Sequence, residues 1–162
     1  MGLSYKIRRA DRFLEELNEA DRSLLVRCCH EIQIAQEQLN QTCAEAFHDC
    51  ISRCQGKCCK NIHAEDIVTT LDFLYILILN RDLLPQALEC VADETLFSAD
   101  CPFLRGGVGP CLFAEDQKPE RCVITFCSVV PSARRPVRRV RSAFTRLWWH
   151  VFYCRPFFWI GW

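Results

Sequence analysis

Eight of the thirteen cysteines in this 162-residue chain fall into two groups. Cys50, Cys54, Cys58 and Cys59 lie in C-I-S-R-C-Q-G-K-C-C, and Cys101, Cys111, Cys122 and Cys127 are spread through a Gly- and Pro-rich stretch. Thiolates are soft donors suited to Zn²⁺, to iron in clusters or to Cu⁺. Eight of them serve two four-coordinate sites or one polynuclear site. Cys50 and Cys54 are four residues apart, which puts both on one face of a helix. Gly56 then lets the chain turn back and carry Cys58 or Cys59 to the same point. Met1–Lys6 lead into mixed charges and no continuous apolar run, so no signal peptide is visible and a cytoplasmic location is expected. Cytosolic thiols stay reduced, and thirteen is odd, so metal binding or redox chemistry explains the cysteines better than a disulfide framework.

The spacing departs from the common metal motifs. A zinc ribbon uses two C-x₂-C pairs, and a bacterial ferredoxin uses C-x₂-C-x₂-C; neither occurs here. The order of short motifs is more informative. It runs G-K-C-C (Gly56–Cys59), C-P-F-L (Cys101–Leu104), G-P-C (Gly109–Cys111), K-P-E-R-C (Lys118–Cys122) and F-C (Phe126–Cys127). In that order the chain resembles the YkgJ-type cysteine-cluster proteins, described as zinc- or iron-chelating domains, over about half its length, residues 50–127. The resemblance gives all eight cysteines a counterpart. It implies a bound zinc ion or an iron centre, an iron–sulfur cluster included, and it fixes no reaction. Gln55 is an extra residue before Gly56, Lys118 stands where the family has Arg, and Val123 stands where it has Arg after the cysteine.

Other chemistry is sparse. His48 precedes Cys50 by two residues and His63 follows Cys59 by four, so either is a candidate extra ligand or proton donor. The alternative is an exposed helix residue for His48 and a helix N-terminal residue for His63. Asp49 and Asp100 each precede a cluster cysteine and are equally ambiguous. There is no P-loop, dinucleotide fingerprint, H-E-x-x-H or G-x-S-x-G, so no catalytic residue is assigned. Cys28, Cys29 and Cys43 fit a helix stripe as small hydrophobes. Cys90 and Cys154, without cysteine neighbours in sequence, are read the same way.

The elements that position these residues are read as helices. Leu25, Cys28/Cys29, Ile32, Ala35, Leu39, Cys43, Ala46 and Cys50 recur at steps of three and four, with Asp21 or Ser23 as cap. This predicts a helix of roughly 30 residues over 23–55, stopped by Gly56. Asn61, Glu65 and Asp66 open a second helix, buried through 64–79. Pro85 suits the first turn of a third, near 86–91, and a short helix is expected after Pro119. The fold expected is mainly α: a small helical domain with a long N-terminal helix and cysteine-rich metal-binding loops. Its parts are a helical lead at 1–22, a cysteine-cluster domain at 23–130 and an arm at 131–162.

That arm differs in charge. It holds seven arginines, all four tryptophans and no acid, leaving 13 basic and 20 acidic residues in 1–130. The zero net charge therefore divides into a body of −7 and an arm of +7. Leu147–Trp162 is shorter than the ~20 residues a spanning helix needs and contains Arg155. The arm is expected to be poorly ordered or weakly helical. Weak contact with a membrane interface is the second reading, and nucleic acid is disfavoured. The functional expectation is a metal-binding protein that acts as a structural, carrier or assembly module, with a possible protein partner. The alternative is a metal-dependent redox or protein-modifying enzyme using the same cluster.

Overall fold

A computed structural model of the chain describes residues 2–45, 62–92, 100–105, 110–126 and 130–154. The structure is mainly helical, as the periodicity predicts, and the described residues contain no strand beyond one isolated bridge, Leu104 to Cys111.

The first helix, α1, runs Leu3–Glu15, within the stretch 1–22 expected to be a helical lead. Its buried positions Leu3, Ile7, Ala10 and Leu14 keep steps of three and four. Helix α2 runs Glu19–Thr42 and is capped by Asn18, whose side chain accepts from the Asp21 amide at 2.8 Å. Neither Asp21 nor Ser23 is the cap: Asn18 precedes Glu19 and Asp21, so both acids fall in a first turn that favours negative charge. The long helix expected over 23–55 closes at Thr42, where Cys43 donates its amide to the Leu39 carbonyl. Most of the remainder of that expectation, 46–55, lies outside the described residues.

The helix expected at 64–79 is two helices, α3 (Ala64–Ile67) and α4 (Thr70–Leu79). Thr69 and Asp72 cause the break. They form a reciprocal capping box, in which the Thr69 amide donates to Asp72 Oδ2 instead of to the preceding turn. Lys6 Nζ donates to the carbonyls of Glu65 and Val68, which the break leaves without helical partners. Phe73–Leu77 of α4 are buried in succession, as suits a helix at the centre of the core. Helix α5 is Leu83–Cys90, with Pro85 in its first turn, and α6 is Glu120–Ile124, following Pro119.

The largest departure is at 131–154. After a 3₁₀ turn at Pro131–Ala133, residues Arg134–Cys154 form a 21-residue helix, α7, instead of a poorly ordered arm. Its buried residues Val140, Ala143, Phe144, Leu147 and Val151 form an apolar stripe that packs along α2. Each fully buried aliphatic or aromatic side chain contributes about 1.5–3 kcal/mol. That stripe, rather than helix propensity, holds the segment down. Helices α1, α2 and α4 pack together, with α5 against α1 and α6 against α7.

Candidate metal centre

The first two cysteines of the second group, Cys101 and Cys111, sit on a small folded loop. Residues 101–105 and 110–113 come together through the Leu104–Cys111 bridge. The Leu112 amide donates to the Phe103 carbonyl at 2.8 Å and the Arg105 amide to the Pro110 carbonyl at 3.2 Å. Phe103 and Phe113 anchor the loop. Their rings contact each other at 4.8 Å, and both meet Phe73 of α4 edge-on. Local pairing and aromatic anchoring thus bring Cys101 and Cys111 to one end of the core.

Both are free, half-buried thiols. The backbone N–H of Phe103 acts on Cys101, and those of Phe113 and Leu112 act on Cys111, to lower the pKa of each thiol. In each case a donor comes from the residue two positions on. Such donors favour a negatively charged sulfur. Burial acts the other way and is the larger effect. It pushes Cys101 up to about 11 and raises Cys111, and Cys111 itself further raises Cys101. In the protein without a cation these thiols therefore hold their protons, while the backbone N–H groups beside them favour thiolates. The donor set suits a soft or borderline cation, whose charge would offset the burial.

Cys90, at the end of α5, is a neighbour that the sequence conceals. It lies within electrostatic reach of Cys101 and Cys111, and burial raises its own thiol before Glu89 and Cys111 do. Its spacing from Cys101 gives no sign of this, because the proximity is made by the fold. Cys28 and Cys29 are buried on α2 and Cys43 is buried at its end, as small hydrophobes.

Cys122 lies on α6, exposed, and the segment just before it is held by several side-chain hydrogen bonds. Gln36 is fully buried. It donates Nε2 to the Lys118 carbonyl at 2.8 Å and accepts the Lys118 amide on Oε1 at 3.1 Å, as a neighbouring strand would. Tyr75 donates its hydroxyl to the Asp116 carbonyl at 2.6 Å, and Asn40 donates to Glu115 at 3.1 Å. Asp72 then caps α6. Its Oδ1 accepts the Glu120 amide at 2.8 Å while Oδ2 accepts the amide and hydroxyl of Thr69 at 2.8 and 2.7 Å. One buried carboxylate thus starts two helices. Burial, more than any neighbour, raises its pKa. Gln36 and Asp72 are the positioning residues that the sequence reading missed. A polar residue on an otherwise apolar helix face was the available signal in each case.

The remaining candidates divide by location. Cys50, Cys54, Cys58, Cys59 and Cys127 lie outside the described residues, as do His48 and Asp49. His63 is exposed, next to the start of α3, and Asp100 is exposed beside Cys101. Cys101, Cys111 and Cys122 do not meet as a three-ligand site: among the described residues, no three Cys, His, Asp or Glu side chains converge on one point. Compared with protein-family models, curated proteins and solved structures, the chain matches none.

Proposed function

We propose that the chain is a thiolate metal-binding protein of YkgJ type, acting as a structural, carrier or assembly module in the cytoplasm. Its candidate ligands for zinc or an iron centre, iron–sulfur included, are Cys50, Cys54, Cys58, Cys59, Cys101, Cys111, Cys122 and Cys127. One observation carries the reading. Two cysteines in the motif order C-P-F-L…G-P-C are folded together as free thiols on one paired loop, each beside a backbone N–H from two residues on that favours its thiolate. That arrangement suits a sulfur that bears charge. A cation held there by Cys101 and Cys111 would supply charge that keeps the sulfurs deprotonated. Gln36 and Asp72 fix the backbone around Lys118–Glu120, so the thiol of Cys122 is presented from a rigid support.

Anaerobic purification followed by metal analysis and visible absorption tests the reading. The expected result is zinc or iron bound in stoichiometric amount, with absorption near 400 nm for an iron–sulfur centre. Protein that is folded, fully reduced and unable to take up zinc or iron would overturn it.

A further inference from the structure

The outer face of α7 is left over by the fold. Its apolar stripe is committed to α2, and two of its arginines reach down to the body, Arg139 to Gln38 at 2.7 Å and Arg146 to Glu31 at 2.8 Å. Arg141 stands beside Glu120 of α6. Facing outward are Arg134, Arg135 and Arg138 in the first two turns and Trp149 and Tyr153 in the last two. At 3.6 residues per turn these five lie within an arc of about 100°. Arg138 and Trp149 are separated by about 17 Å along the axis, at 1.5 Å per residue. Trp149 is 46% exposed and Tyr153 74%, large values for rings of that size in a folded helix. No acid occurs between 131 and 162, so this helix supplies no carboxylate to its own arginines. The sequence continues in the same vein, with R-P-F-F-W-I-G-W at 155–162.

We propose that this face docks on an anionic phospholipid bilayer. The arginines meet lipid phosphates at one end of the helix, and Trp149 and Tyr153 enter the headgroup layer at the other. Charge complementarity selects the partner, since a single-signed basic stripe is attracted to the negative leaflet surface. Aromatic residues with a polar edge prefer that same interfacial layer. Contact is shallow, because the stripe that an in-plane amphipathic helix would insert is already buried against α2. Single-stranded nucleic acid fits less well. Base stacking needs open ring faces, whereas Trp149 is stacked on Tyr153 at 5.8 Å and Trp148 on Phe152 at 5.5 Å.

Flotation of the full chain with vesicles tests the proposal, using phosphatidylcholine alone and phosphatidylcholine mixed with phosphatidylserine. Binding to the mixed vesicles alone is expected, weakened by added salt because exposed charges are screened. Arg134→Glu/Arg138→Glu should lower partitioning by about tenfold or more, and Arg134→Lys/Arg138→Lys should retain it, since each basic residue near the surface is worth about 1 kcal/mol. Trp149→Ser/Tyr153→Ser should also release the protein. All six changes fall on exposed atoms, and unchanged helical circular dichroism verifies the fold. Equal binding to both vesicle types, no binding to either, or binding that survives both charge reversal and ring removal would overturn the proposal. So would oligonucleotide binding in the absence of vesicle binding. These outcomes do not depend on metal content, so the two proposals fail separately.

Discussion

Gln36 and Asp72 do more for the candidate centre than their sequence surroundings suggest. Gln36 replaces solvent for both backbone polar groups of Lys118. Gln36→Leu keeps the volume and leaves a part-buried N–H and C=O without their partner, at about 1–3 kcal/mol in total. Chemical denaturation should show that loss, and a loss below about 0.5 kcal/mol would mean the loop has found other partners. Asp72 carries a pH signature. Its folded pKa is raised above the ordinary 3.8, so the folded protein holds the proton more tightly than the unfolded chain does. The corresponding stabilisation is present below about pH 4 and is lost as pH rises through the raised value. Asp72→Asn cannot titrate, and its amide N–H₂ would confront a backbone donor that both carboxylate oxygens now accept. Urea unfolding at several pH values from 4 to 7 should show the variant less stable than wild type throughout. The gap should narrow as pH rises, and a gap that widens would contradict the assignment.

At the scale of elements, most of the fold was legible because it is written in steps of three and four. The α2 stripe and the buried run of α4 read correctly as helical, and Pro85 and Pro119 fell in or beside first turns. Two misreadings have specific causes. The 64–79 run concealed a capping box, because Thr69 and Asp72 compete with the helix for the same backbone amides. The 131–162 segment looked like a separate arm because its arginines and tryptophans dominated the composition. Val140, Ala143, Phe144, Leu147 and Val151 nevertheless carry a regular stripe beneath them. Leu147→Ala should therefore destabilise the whole protein by about 2–5 kcal/mol. The exposed change Arg138→Ala should fall within about 0.5 kcal/mol of wild type. Thermal or denaturant unfolding separates the two, and equal small effects would mean that α7 is not part of the cooperative unit.

Across the whole molecule, the zero net charge separates an acidic body from a basic helix that packs on it, with Arg146–Glu31 as one exposed ion pair between them. Exposed pairs of this kind are worth at most about 1 kcal/mol. The union is therefore held by the apolar stripe, and the outward arginines stay available. For the candidate site, sequence order placed Cys101 and Cys111 among eight candidate ligands, and the folded loop draws these two together. Cys90 was illegible, since only the packing of α5 brings it near. The metal content of protein purified without oxygen is the most direct measure of the central claim, compared between wild type and Cys101→Ser/Cys111→Ser. Wild type should carry stoichiometric zinc or iron, and the double variant should lose at least one site while keeping its helical spectrum. Equal metal content in the two proteins would contradict the role given to these thiols, and a wild type that binds no metal would contradict the function itself.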